Sequence, residues 1–288
     1  MKCQKVKISC FITLLFFCFQ NHSILIAQEN LKLWTSYGAT TRLTKELRIR
    51  GSQLLLFNQE PFELSSMQNS AVITYRINRK ISFGVGYQRS SDPSNPNQEA
   101  RNRLEGRFRY NARIGKIRLQ NALRTEWHFP ERSKFEYRIR YGLRIHGGSW
   151  GLPLKTTPFV TNEFHYYLSG RPLQYRDADG ERLIKQSPDG LHAYRFTFGI
   201  SCRPIKRIRA SLSYMRQTEF NIGSKYREIN VVDPRDGDII RPFNNFSVLI
   251  LNVSYQFDLR KKSSSPVLIG SRTKKRDFGI HSTSKKSI

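Results

Sequence analysis

The chain has 288 residues, with 49 Lys and Arg against 22 Asp and Glu for a formal net charge of +27, and 38% of it is hydrophobic. Only one stretch, at the N-terminal end, is apolar enough to be weighed as a helical span, which excludes a polytopic helical membrane protein. Aromatic residues make up 12% of the chain and fall inside regular patterns, which excludes wholesale disorder despite the charge.

The first segment bears on the compartment. Lys2, Lys5 and Lys7 precede an almost unbroken apolar run from Ile8 to Phe19, and Leu25, Ala27 and Gln28 offer a cleavage site after Ala27. This layout, over residues 1–27, is that of a secretory signal peptide. An uncleaved anchor is the competing reading, but the run is short for a span and Gln20, Asn21 and His22 interrupt it. Phe17 stands before Cys18 where lipidation requires a small residue. Cleavage removes Cys3, Cys10 and Cys18, so the mature chain keeps Cys202 and forms neither an internal disulfide nor a cysteine-ligated zinc site.

Beyond the signal, the chain alternates with a period of two. Leu31–Leu43, Glu46–Phe57, Ser66–Asn78 and Ile81–Ser90 show it in mixed form. It then sharpens: Glu99, Arg101, Arg103, Glu105, Arg107, Arg109, Asn111 and Arg113 share one face, opposite Leu104, Phe108, Tyr110, Ala112 and Ile114. In Ile117 to Trp127, Arg118, Gln120, Arg124 and Glu126 oppose Ile117, Leu119, Leu123 and Trp127. From Phe135 to His146, the series Phe135, Tyr137, Ile139, Tyr141, Leu143 and Ile145 alternates with Glu136, Arg138, Arg140, Gly142, Arg144 and His146. Lys155–Tyr167, Leu191–Arg203, Ile208–Thr218 and Phe246–Phe257 complete the series. No mature segment carries a helical period, so the predicted fold is all-β and antiparallel.

The connectors form two classes. Thr44-Lys45, Arg79-Lys80, Gly115-Lys116 and Pro204 to Arg207 are tight turns, with a longer link from Gly147 to Leu154 in the same series. Between them fall Asn58–Ser65, Ser91–Gln98, His128–Lys134, Leu168–Gly190 and Glu219–Asn245. Short periplasmic turns on one rim and long extracellular loops on the other are the pattern of an outer-membrane barrel. An arginine facing the bilayer midplane costs about 2–4 kcal/mol, so the charged face points into the lumen and the apolar face, with Trp127 and Tyr87 near strand ends, meets lipid. In the alternative, a soluble sandwich, the apolar faces pack on each other. Eleven segments conflict with the even strand number and two periplasmic termini of bacterial barrels, so the expectation is ten to twelve strands.

The Leu-x-Leu-Trp segment (Leu31, Leu33, Trp34), the Arg-Asn-Arg-Leu at Arg101 to Leu104, the Arg-rich strands that follow and the closing Val-Ser-Tyr-Gln-Phe at Val253 to Phe257 resemble the family called domain of unknown function 2490. The resemblance spans about residues 31 to 257 and implies a small outer-membrane β-barrel of a Gram-negative bacterium. It implies no activity and no catalytic residue. The chain departs from the usual barrel by continuing past Phe257. Residues 258–288, with Arg260, Lys261, Lys262, Arg272, Lys274, Lys275, Arg276, Lys285 and Lys286 against Asp258 and Asp277, read as a basic disordered tail. It is either a solvated extension or an arm for an acidic periplasmic partner, whereas nucleic acid is excluded for a secreted chain.

The candidate site is the luminal charge network: Glu99, Arg101, Arg103, Glu105, Arg107, Arg109, Arg124, Glu126, Glu136, Arg138, Arg140, Arg144, Glu163 and His165. Opposite charges on adjacent strands are neighbours and can interlace. Such a network either fills the lumen or, because arginine is in excess, lines a passage for small anions. A lipid-modifying enzyme would require His165 and Glu163 at the lipid-facing outer rim, near Ser169, yet no nucleophile motif accompanies any histidine. His128 and His192 stand at loop edges. Asp177, Asp179 and Glu181 around Gly180, and Asp233, Asp236 and Asp238 around Gly237, lack the full calcium-loop pattern and read as hairpin tips. No motif calls for a cofactor. The sequence thus points to an outer-membrane barrel whose lumen is structural or passes small anions, with outer-membrane lipid as its surroundings; the alternatives are the enzyme and an envelope-assembly subunit held by the basic tail.

Overall fold

In the computed structural model the described residues are 31–59, 62–95, 97–129, 135–148, 152–170, 173–176, 179–186, 189–222, 232, 237 and 245–259. The expected signal, the tail past Leu259 and most of the two acidic clusters lie outside them. Thirteen strands follow in chain order: β1 Leu31–Arg42, β2 Leu47–Gln59, β3 Phe62–Arg76, β4 Ile81–Ser91, β5 Arg101–Ile114, β6 Ile117–Phe129, β7 Phe135–His146, β8 Thr157–Gly170, β9 Leu173–Arg176, β10 Arg182–Gln186, β11 Gly190–Ile205, β12 Ile208–Ile222 and β13 Phe246–Asp258. Eleven of these close into a single barrel, while β9 and β10 pair separately as a hairpin within the β8–β11 connection. Its connection includes Gly180 at φ +86°, in keeping with the turn reading of that Asp-Gly.

Closure departs from the antiparallel expectation in one place. Up-and-down connectivity reverses direction at every step, so an odd number of wall strands leaves the first and last running the same way. The barrel therefore closes by a parallel seam, with β1 paired to β13 from Leu31↔Ser247 to Arg42↔Asp258. The Leu31 segment is a full wall strand, and no twelfth strand is needed. The same count puts Leu31 on the rim of the long connections and Asp258 on the rim of the tight turns, rather than both ends on one side.

The tight turns are where the sequence places them. Thr44 accepts hydrogen bonds from the backbone N–H groups of Glu46 and Leu47, Asn78 does the same for Lys80 and Ile81, and Gly115 takes the left-handed φ of +57°. One long connection is corrected: β2 and β3 stay paired to Gln59↔Phe62, so most of Asn58–Ser65 is strand. Phe62, Glu63, Leu64 and Ser65 alternate in type like the rest of these strands, and the polar Asn58 and Glu63 are hydrogen-bonded across the pair.

The two faces are inverted relative to a water-soluble protein. Large apolar side chains stand exposed around the outer wall, among them Ile73, Phe83, Val85, Trp127, Tyr141, Phe164, Ile200 and Leu251. Inside, the largest fully buried residues are His165 and Val248. A small apolar cluster of Met215, Phe246 and Val248, with Trp34 and Ile250 against it, occupies the luminal side of the seam. Acids and arginines from β5 to β8 and β11 occupy the opposite side.

Gly86 on β4 makes room for one of those acids. A Cβ there would lie 2.6 Å from Glu105 Oε1 and 3.0 Å from Val72 Cγ2. Gly86→Ala is expected to displace the Glu105 carboxylate and destabilise the barrel by about 1–3 kcal/mol in urea unfolding from detergent. An unchanged midpoint would show that Glu105 has another place to go.

Candidate functional site

Sheet register stacks the luminal side chains in rows. One row runs Gly86, Glu105, Glu126, Arg138, Tyr167, and the next toward the turns runs Gly84, Arg107, Arg124, Arg140, His165. A third passes through Arg109, Ala122, Gly142, Glu163, Arg195 and Gln217. Directly opposed like charges repel, as Glu105 with Glu126 and Arg107 with Arg124 must. Neighbouring rows supply the counter-charges.

Glu126 is the hub. Its side chain is 0% exposed, and Arg138 Nη2, Arg103 Nη1 and His128 Nε2 lie 2.5, 3.4 and 3.3 Å from Oε2, while Arg140 Nη1 lies 3.1 Å from Oε1. Arg140 then reaches across to Glu163, donating from Nη2 at 2.6 Å and Nε at 3.2 Å. Glu163 also accepts from His165 Nε2 at 2.8 Å and has Arg195 Nη1 at 3.9 Å. Arg195 continues the chain by donating from Nε to Gln217 at 2.6 Å. On the other flank Arg107 pairs with Glu105, and Arg103 donates to Gln88, which donates to Gln68 at 2.6 Å. A girdle of hydrogen bonds and ion pairs thus passes through side chains of β3 to β8, β11 and β12. Charged donors and acceptors of this kind are each worth more than neutral pairs.

Toward the long connections an aromatic layer covers the girdle. Phe135 stacks on Tyr167 at 3.9 Å, Tyr167 on His192 at 4.6 Å, and His128 meets Phe135 edge-on at 4.9 Å. Arg138 lies 5.5 Å from the Phe135 ring. His192 enters the lumen at a register shift in β11, between Leu191 and Ala193, and sits 3.7 Å from Glu219 Oε2. A bulge re-aims a side chain in this way.

Toward the turns, basic residues gather with few counter-charges. Arg144, Arg118 and Arg209 are one another's charged neighbours, and Arg109 faces Arg107, Arg50 and Arg48 with Glu105 as the nearby acid. Arg144 lies flat over Phe159 at 3.8 Å. Between girdle, arginines and seam lies a cavity of about 390 Å³, into which Arg124, Arg140, Arg144 and Arg195 project with Glu163.

Of the sequence-predicted residues, Arg103, Glu105, Arg107, Arg124, Glu126, Arg138, Arg140, Glu163 and His165 come together in the girdle, and Arg109 and Arg144 join the basic tier. Glu99 and Arg101 do not: Glu99 precedes β5 in an exposed connection, and Arg101 is exposed at the start of β5. Glu136, at the loop-side end of β7, meets the hydroxyl of adjacent Tyr137 rather than an arginine. His128 and His192 stand at the loop-side ends of β6 and β11, as expected, and turn into the lumen. Phe135 leaves the outward face to which its parity assigns it, because stacking on Tyr167 buries it to 9% exposure. Arg195, Gln217 and Tyr167 were missed as site residues; the alternation of Tyr194, Phe196 and Phe198 with Arg195 and Thr197 carried the signal for the first. The His165–Glu163 pair lies inside the lumen, not on the lipid-facing rim an interfacial hydrolase requires.

Fold and site together define a closed β-barrel with a buried arginine–glutamate lumen. The family model described as protein of unknown function, DUF2490, matches residues 31–228, and the chain belongs to that family. The match covers β1 to β12, whereas the barrel needs β13 to close. No curated protein matches the sequence.

Removing the hub leaves several cations buried around a void. Glu126→Ala is expected to cost about 3–5 kcal/mol of unfolding free energy, against less than half of that for Glu99→Ala. Equal effects of the two substitutions in urea titrations would show that the girdle does not support the fold.

Proposed function

We propose that the protein is an outer-membrane β-barrel, inserted after loss of its signal segment, whose lumen is a gated passage for small anions. The observation that carries this reading is the girdle: carboxylates anchored among more numerous arginines across a lumen whose outer wall presents apolar side chains all round. Exposed apolar surface on that scale calls for a nonpolar surrounding medium, and a lipid bilayer supplies it. Arg89 and Arg216, which face outward, lie in the long-connection half of the wall, toward an interface. A pore lined by fixed positive charge favours anions. Glu126 and Glu163 hold Arg138, Arg140 and Arg195 across the path, and the layer of Phe135, Tyr167 and His192 narrows it from the long-connection side.

Single-channel recording of refolded protein under a salt gradient tests the passage. The expected result is infrequent, small steps with a reversal potential on the anion side, and a higher open probability for Glu126→Gln, which loosens three arginines at once. Cation selectivity, or silence in both proteins, overturns the reading and leaves the girdle as a plug.

Orientation has its own test in a Cys202→Ala background. Glu99→Cys on the long-connection rim is expected to react with a membrane-impermeant maleimide in intact cells, and Lys45→Cys on the turn rim only after the outer membrane is opened. Equal labelling of both in intact cells would remove the barrel from the outer membrane.

A further inference from the structure

The girdle shares few acids among the luminal arginines, and four arginines line one cavity, of which Arg144 makes no ion pair among the described residues. The cavity lining holds one carboxylate, Glu163. Arg140 is committed to Glu126 and Glu163, and Arg195 gives its Nε to Gln217 and has Glu163 3.9 Å from its Nη1. Among the described residues the one ion-pair contact of Arg124 is Glu105, at 4.0 Å, with Glu126 and Glu163 as further charged neighbours. Among the described residues Arg144 makes no ion pair, and its buried Nε has no hydrogen-bond partner. Phe159 covers one face of that guanidinium at 3.8 Å and leaves its edge, where the donors are, for another group.

The rest of the cavity wall has a different chemistry. Opposite the arginines stand hydroxyls and amides, including Ser52 and Ser70, whose oxygens are 2.8 Å apart, with Gln68 and Asn252. Trp34 adds a flat apolar wall beside them. A volume of about 390 Å³ exceeds the needs of a bare ion and falls in the range of small-molecule sites.

We infer that this cavity binds a small phosphorylated solute bearing several hydroxyls, with its phosphate held by Arg124, Arg144 and Arg195 and its hydroxyls facing Ser52, Ser70 and Gln68. Planar guanidinium forks match the tetrahedral oxygens of a phosphate better than they match a halide, which offers no directed acceptors. Paired serine hydroxyls each donate and accept, as a polyol requires. The inference rests on the passage reading only for how solute reaches the cavity.

The test is calorimetric titration of the refolded full chain in detergent with glucose 6-phosphate, inorganic phosphate, glucose and dihexanoyl phosphatidate, at fixed chloride. Glucose 6-phosphate is expected to bind more tightly than inorganic phosphate, and glucose to give no signal. Arg144→Gln and Arg124→Gln are each expected to weaken both phosphate ligands by at least about tenfold. Ser52→Ala with Ser70→Ala is expected to weaken glucose 6-phosphate alone. Absence of binding by glucose 6-phosphate, equal affinity for it and inorganic phosphate, or indifference to the arginine substitutions overturns the inference. Tighter binding of dihexanoyl phosphatidate would replace the solute by a lipid headgroup and likewise overturn it. Where an arginine variant does not refold, the ligand series on the unaltered chain decides. Binding by an electrically silent barrel keeps this site and defeats the passage, and conductance without binding does the reverse.

Discussion

Glu126 sits with its side chain wholly out of solvent, and the luminal structure follows from the need to neutralise it. A buried carboxylate without partners is too costly to persist ionised, so its survival requires the convergence of Arg103, Arg138, Arg140 and His128. Those four come from β5, β6 and β7, and each is held by its own strand register. Arg140 extends the demand to Glu163 on β8, and Arg195 on β11 extends it again. Charge compensation therefore ties together walls that the backbone ladder connects only pairwise.

An ion-pair girdle, unlike a core of packed leucines, keeps charged side chains across the lumen, and arginine outnumbers glutamate among the side chains that line the cavity. The apolar cluster of Met215, Phe246 and Val248 on the seam side completes the design. It packs the parallel β1–β13 closure from within, where no Arg–Glu lacing is present among the described residues.

Much of the wall was legible in the sequence because strand periodicity is local. Arg103, Glu105, Arg107 and Arg109 fall on one face of β5 whatever the partner strand, and Glu126 with Arg124 on one face of β6. Thr44, Asn78 and Gly115 mark their turns through bonds or dihedrals made within a few residues. Glu99 and Glu136 share the parity of the network but lie at strand ends, where alternation continues after the wall has stopped. Parity says which side a residue faces and nothing about its height in the barrel.

From its own residues the chain determined an all-β wall, an inward charged face and two classes of connection, since each depends on neighbours one to four positions apart. Only the tertiary structure decided the parallel seam, the hub at Glu126, the turn of Phe135 into the lumen and the entry of His192 at a bulge. Each of these depends on register between strands distant in sequence. A shift of one residue would move every arginine to the other face, and a shift of two would give each a different partner. Closure sets that register for all eleven strands together, so the choice of which acid each arginine of the cavity wall meets belongs to the closed barrel and to no single segment.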